Sequence, residues 1–178
     1  MNLLLLTVAI LGSIVCLLIL LNIFIWRWTI GWAPTTKGDA EKIIQLARIE
    51  EGDKLFDLGC GDGRFLLMGA KRGSEVTGIE IEPLRYLISK VRALLSKNRD
   101  KINVKYGNFF NLNLKEADVV ILYLSPRVNE KLKPKLEKEL TSGTVVISYQ
   151  YKLPNWSPTK KIREKEIYHY RFPKSMEF

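Results

Sequence analysis

From Met1 to Trp26 no side chain is charged, so all 28 Lys and Arg and all 19 Asp and Glu come later. An apolar segment is therefore joined to a basic, water-compatible remainder. Leu3 to Trp26 reads LLLLTVAILGSIVCLLILLNIFIW. As a helix it would span about 36 Å, more than the roughly 30 Å hydrocarbon core of a bilayer. A cleaved signal peptide would carry a basic n-region, a shorter apolar stretch and a small-residue cleavage site. Only Asn2 separates Met1 from the leucines, and no such site closes the run. A retained single-pass anchor is expected.

The flanks set the orientation. Nothing basic precedes the segment, whereas Arg27, Lys37, Lys42 and Arg48 follow it, which predicts a C-terminal part on the cytoplasmic side of the membrane. Trp26, Trp28 and Trp32 cluster as an interfacial belt would. The expected division is 1–27 anchor, 28–35 interfacial linker and 36–178 folded domain. The formal charge of +9 suits anionic headgroups, and equally a merely soluble Lys-rich surface.

Cys16 lies in the apolar segment and Cys60 between two glycines, so a structural disulfide is not expected. One histidine, His169, without a cysteine cluster leaves no metal site and no hydrolytic triad. His169 is read as a packed or surface residue of a late strand.

Past the linker, strands alternate with helices. Thr36 and Asp39 form an N-cap pair ahead of Ala40, Ile43, Ile44 and Ala47, which are spaced as on a helix that Gly52-Asp53 should break. Lys54–Leu58 is a strand, Arg64–Lys71 a helix and Val76–Ile81 a second strand. Pro83 then opens a helix that repeats Leu84, Leu87, Ile88, Val91, Leu94 and Leu95 on one face. Ile102–Tyr106 and Asp118–Leu124 are further strands, the latter apolar enough to be buried on both faces. A helical stretch, 128–140, contains Pro134, which should restart or kink it. Its Lys131, Lys133, Lys135 and Lys138 read as a solvated face. Thr144–Tyr151 is a strand, and Lys160–Ile162 with Ile167–Phe172 form a terminal antiparallel hairpin, with Trp156 packed beneath it. The fold class is α/β, an open and mostly parallel seven-stranded sheet.

The chemistry concentrates in Asp57 to Gly63, D-x-G-x-G-x-G between a strand and a helix. Such a turn presents bare backbone N–H groups to a closely approaching ligand. A nicotinamide fingerprint counted from Gly59 would need its third glycine at Arg64. The tighter turn suits the amino acid and ribose of S-adenosylmethionine better than a pyrophosphate. Glu80, about 20 residues on, ends the second strand, where a carboxylate can accept both ribose hydroxyls. Gly107-Asn108-Phe109 follows the third strand.

LFDLGCGDGR, GIEIEP and YGNFF together resemble class I S-adenosylmethionine-dependent methyltransferases. LYLSPRVNEKLKPKLEKEL, GTVVIS and LPNWSP narrow the resemblance to small prokaryotic protein-lysine methyltransferases. Their mitochondrial relatives, which modify the ATP synthase c-subunit and the adenine nucleotide translocase, are similar too. The resemblance runs from about Trp32 to Tyr170 and implies a Rossmann-like domain. It implies that Asp57, Gly59 and Gly61 line the methionine end of the cofactor, with Cys60 and Gly63 in the same turn. Glu80, with Ile81 beside it, would hold the ribose, and Asn108 with Phe109 the adenine. Pro34-Thr35 would close over the cofactor, and Leu124-Ser125-Pro126, with Tyr123 and Trp32, would surround the acceptor. Trp32 stands where relatives often have Tyr, and Asn108 replaces the Asp common in the wider superfamily.

Methyl transfer to an amine needs positioning and desolvation and no dedicated base. The implied acceptors are lysines of membrane or membrane-proximal proteins, with lipid contacted through the anchor and no metal. A nucleic-acid partner is not expected, because base-amine enzymes usually carry Asn/Asp-Pro-Pro-aromatic where Leu124-Ser125-Pro126-Arg127 stands. A phospholipid amine as acceptor and a non-catalytic cofactor-binding scaffold are the alternatives.

Overall fold

The computed structural model describes residues 3–29 and 33–172, and their backbone falls into two units divided between Pro34 and Thr35. The first is a single helix, α1 (Leu3–Thr29), 27 residues long. Side chains are described along it only from Thr7 to Leu21, all exposed. Within the described residues no helix is long and apolar enough to cross a membrane.

The second unit begins at Thr35, itself buried, one residue before the expected domain start. Helix α2 (Lys37–Ala47) opens as its sequence requires: Thr36 accepts from the Asp39 N–H at 3.2 Å and donates its hydroxyl to Asp39 Oδ2 at 2.8 Å. It ends earlier than Gly52-Asp53 suggested, because Arg48 adopts a left-handed conformation (φ 50°) and closes the last turn onto Gln45. Strand β1 (Lys54–Leu58), helix α3 (Arg64–Ala70), β2 (Glu75–Glu80) and α4 (Pro83–Leu94) follow. After β3 (Ile102–Tyr106) and β4 (Val119–Leu122), α5 (Pro126–Glu139) continues as one helix through Pro134. The chain closes with β5 (Val145–Tyr149), β6 (Lys160–Ile162) and β7 (Ile167–Arg171).

These strands form one sheet in the order β3-β2-β1-β4-β5-β7-β6, parallel except at β7. The antiparallel hairpin is present, and its second strand inserts between β5 and β6. Alternation along each strand sorts the core into two faces. Leu55, Val119, Ile121 and Ile147 meet Ile43, Ile44, Leu66, Ala70 and Ala93 of α2, α3 and α4. Leu58, Val120, Leu122 and Val146 meet Leu132 and Leu136 of α5 on the other side. Trp156 packs there against Tyr170 and Phe172, at 5.7 and 5.8 Å between ring centres, as expected of it. His169 lies buried in β7, also as expected, and burial followed by Lys160 and Arg171 lowers its pKa.

Two helices depart from the sequence picture. The lysines of α5 are not simply solvated: Lys135 is half-buried and grips Glu139 at 2.6 Å, and Glu139 accepts the Leu114 N–H at 3.0 Å. The apolar stripe of α4 does lie on one face, but that face points outward. Leu84, Leu87, Ile88, Val91, Leu94 and Leu95 are 40–81% exposed, and the helix buries Ser89 and Ala93 instead. The cause is close approach. A Cβ placed on Gly63 would stand 3.0 Å from Ser89 Cβ, so only small side chains fit between α4 and the turn.

Candidate active site

The expected residues from Asp57 onward lie just at or beyond the C-terminal ends of β1, β2, β3 and β4. Gly59, Gly61 and Gly63 all have positive φ (87°, 56° and 76°), a backbone path that glycine alone follows without strain. The Gly59 and Cys60 N–H groups both donate to Ile79 O, at 2.9 and 3.1 Å, locking the turn to the end of β2. Cys60 is buried, and burial pushes its thiol pKa up. Two buried carboxylates then meet with opposite fates.

Glu80 is saturated by backbone. Its Oε2 accepts the Gly61 N–H at 2.9 Å, and its Oε1 accepts those of Ile81 and Glu82 at 3.0 and 2.9 Å. The expected ribose ligand thus also fastens the glycine turn to the start of α4. Asp57 is only 4% exposed and its Oδ2 has no hydrogen-bond partner. Burial, reinforced by Glu80 and Asp62, pushes its pKa up to about 8. An orphaned buried acid beside a turn of bare backbone fits a cationic ligand such as the ammonium group of S-adenosylmethionine.

Asp62 sits between two guanidinium groups. Arg64 reaches it at 2.9 Å through Nε, and Arg92 pairs with it from α4. Arg64 also donates through Nη1 to the carbonyl of Thr35, tying the start of this unit to α3. Ile81 projects at 58% exposure beyond β2. Asn108 is exposed, and its Oδ1 accepts the Phe110 N–H at 3.0 Å, capping the short 3-10 turn Phe109–Asn111; the Phe109 ring lies 4.9 Å from that of Phe110.

Of the acceptor candidates, Leu124 adjoins the glycine turn. A Cβ on Gly59 would lie 3.4 Å from Leu124 Cδ2, which places the end of β4 against the glycines. Ser125 caps α5 through its backbone, its side chain making no capping bond, and Pro126 is the first helical residue. Tyr123 meets Tyr149 edge-on at 4.7 Å. Trp32 lies outside the described residues, and Pro34 belongs to the other unit.

Sequence reasoning missed the group behind these tyrosines. Tyr149 donates to Asp39 Oδ2 at 3.0 Å, and Lys165 approaches Asp39 Oδ1 at 3.2 Å. The Thr36 hydroxyl keeps the Asp39 pKa low against the cost of burial, aided by Tyr149 and Lys165. Only the helix-cap half of this group carries a local signal; Tyr149 is 110 residues from Asp39. A separate cleft of about 700 Å³ between α2 and α3, lined by Lys37, Ile44, Met68 and Arg72 among others, contains none of the expected site residues.

Known proteins resemble the chain in sequence and in fold. A Saccharolobus islandicus (strain REY15A) protein-lysine N-methyltransferase is 36% identical over 141 residues, covering 77% of this chain and 86% of its own length. The mouse ATP synthase C-subunit lysine N-methyltransferase is 28% identical over 127 residues, covering 71% of this chain, which spans only 51% of that protein. A crystal structure described as an RNA methyltransferase from Salinibacter ruber, in complex with S-adenosyl-L-homocysteine, superposes with a TM-score of 0.75 at 33% identity. That match covers 79% of this chain and 94% of the other. The ANTKMT methyltransferase domain matches residues 57–160, from the orphaned Asp57 through β4 to the start of β6. With more than half of its length matched and its glycine turn and acids in place, the chain belongs to that family and is a class I S-adenosylmethionine-dependent methyltransferase.

Proposed function

We propose that the protein is a membrane-anchored protein-lysine N-methyltransferase acting on membrane or membrane-proximal proteins. One observation carries the reading. The matched span holds both the glycine turn and Leu124-Ser125-Pro126, and the structure packs Leu124 against Gly59, so an apolar mouth borders the cofactor turn. The named activities of the Saccharolobus and mouse relatives support lysine as the acceptor.

S-Adenosylmethionine, when bound, supplies an electrophilic methyl group on a sulfonium. Asp57, Gly59 and Gly61 would hold its methionine end, Glu80 its ribose, and Asn108 with Phe109 its adenine. The acceptor side has to deliver a neutral amine, and a free lysine of pKa about 10.4 is almost wholly charged at pH 7. Tyr123, Leu124 and Pro126 offer apolar walls that favour the neutral form by desolvation. The Ser125 hydroxyl, free of capping duty, can accept an amine N–H and aim the lone pair. Asp39 is committed to Thr36, Tyr149 and Lys165 and is not offered as a base.

The anchor reading rests on the uncharged stretch from Leu3 to Trp26 and on the helical backbone of Leu3–Thr29. The basic residues that follow it favour a catalytic domain on the cytoplasmic side. A short tether of this kind raises the effective concentration of acceptors in the same membrane.

A second reading, methylation of RNA, draws on the Salinibacter ruber structure and the net charge of +9. The deciding experiment gives the full chain radiolabelled S-adenosylmethionine with native membranes and ribosome-bearing extract, then separates protein, lipid and RNA. Methyl-lysine in hydrolysates of membrane protein, absent with Gly61→Val, is the expected result. Label confined to RNA or lipid, or equal incorporation by Gly61→Val, overturns the reading. Protease added outside sealed spheroplasts should spare the domain; digestion there reverses the orientation.

A further inference from the structure

We propose that α4 is a second membrane contact, lying along an anionic bilayer surface with its outward apolar stripe in the headgroup–acyl boundary. The inference rests on the anchor reading above and adds a site on the catalytic domain itself. At about 100° per residue, Leu84, Leu87, Ile88, Val91, Leu94 and Leu95 fill an arc of about 120°. That arc is centred opposite Ser89 and Ala93, the two residues by which the helix packs. Every one of the six is exposed, Leu95 by 81% and Leu94 by 59%. A continuous apolar stripe on the far side of a surface helix has no role in the core and marks an interaction surface.

Charge selects the occupant. By helical period Arg85 and Arg92 lie on one side of the stripe and Lys90 on the other, and Lys97, Arg99 and Lys101 follow the helix. From Pro83 to Lys101 the only acid is Asp100. Glu82 and Glu80 hold Arg85 at 3.3 and 3.9 Å and Asp62 pairs with Arg92, so the charge offered beside leucine, isoleucine and valine is chiefly that of Lys90 and Lys97. A second copy of the chain is the poorer partner. In a two-fold antiparallel pairing each flank meets its own equivalent, so Lys90 would meet the Lys90 side of the other copy and Arg85 would face Arg92. Apolar residues bordered by Lys and Arg are the composition of a helix that lies in the interface plane, with anionic lipid meeting the cations.

The test uses the full chain with Cys16→Ser, so that the buried Cys60 is the only native thiol. A nitroxide is placed on Val91→Cys, or on Lys131→Cys of α5 as a control on the opposite face of the sheet. The protein is reconstituted in vesicles of phosphatidylcholine with about 25% phosphatidylglycerol. The expected result is a ratio of oxygen to water-soluble nickel-chelate accessibility at Val91 about threefold or more above that at Lys131. It should fall when Lys90 and Lys97 are both changed to Glu, substitutions on the solvent side that leave the fold intact. A chain that floats with the vesicles while the Val91 label stays as water-accessible as the control overturns the docking and leaves the anchor reading standing. A chain that does not float overturns both. Dipolar broadening between Val91 labels of two molecules overturns the bilayer in favour of self-association. An equal ratio in pure phosphatidylcholine overturns the anionic requirement.

Discussion

The two halves of the sheet are held by different means. On the β4–β5–β7 side, strands buried along their length meet α5 through large side chains, Leu132 and Leu136 being fully buried. On the β1–β2–β3 side, glycines let neighbouring side chains close onto the backbone. Gly63 touches Ser89, and a Cβ on Gly78 would fall within 2.6 Å of Leu66 Cδ1. The first half is packed by bulk, whereas the second sets buried leucines such as Leu66 against glycines. The difference follows the chemistry. A half that must admit a cofactor against bare N–H groups cannot fill that space with leucines, and its own leucines on α4 are turned outward.

The largest effect should come from removing bulk. Leu136→Ala leaves a cavity in the β4–β5 half and should destabilise the fold by ~2–5 kcal/mol in chemical denaturation. A loss under 1 kcal/mol would mean that α5 is not the pillar described. Adding bulk is the matching experiment for the other half. Ser89→Leu should cost ~1–3 kcal/mol, because Gly63 and the turn cannot retreat without releasing Glu80. Weaker S-adenosylmethionine binding should accompany it in calorimetry, whereas Leu136→Ala should leave affinity unchanged in the folded fraction.

The third prediction has the opposite sign. Asp57 holds its proton up to about pH 8 in the folded chain and releases it near 3.8 when unfolded. Between those values the unfolded state binds fewer protons, so this group's contribution to stability is full below about pH 4 and is lost as pH rises to 8. Asp57→Asn removes that loss. It should therefore stabilise the cofactor-free protein at pH 7 by at least about 1 kcal/mol, given that one pKa unit equals 1.36 kcal/mol. The gain should vanish near pH 4, and S-adenosylmethionine affinity should fall by about 1.5–3 kcal/mol, the worth of a charged hydrogen bond. Equal stability at pH 7 and pH 4 would remove Asp57 as a strained acid kept for the ligand.

The smallest effect tests the outward stripe. Leu87→Ser, at a side chain 55% exposed, should change stability by less than about 0.5 kcal/mol. A core-sized loss would show that α4 packs its apolar face after all.

Much of this was written in short stretches of sequence. The Thr36–Asp39 cap, Pro83 at a helix start and the glycine spacing of the turn are local signals, readable within a few residues. Sterics and local hydrogen bonds favour them whatever distant parts of the chain do. Glu80 was legible as an acid at a strand end, because strand and turn lengths alone bring it opposite the glycines. Its grip on three backbone N–H groups was not, since that needs the turn and strand already folded together. Period also revealed that α4 has an apolar face, but it cannot say where that face points. The direction depends on what the helix meets, and here a glycine turn 26 residues before Ser89 admits only small side chains.

The sequence by itself determined the strand–helix alternation, the cofactor turn, the two buried acids' positions and the uncharged N-terminal stretch, all through local spacing and polarity. Only the tertiary structure decided the insertion of β7 between β5 and β6, the Tyr149–Asp39 bond, the isolation of Asp57 Oδ2 and the exposure of the α4 stripe. The reason is the same in each case: these features belong to surfaces that meet across distant parts of the chain, and no run of neighbouring residues encodes which surfaces those will be.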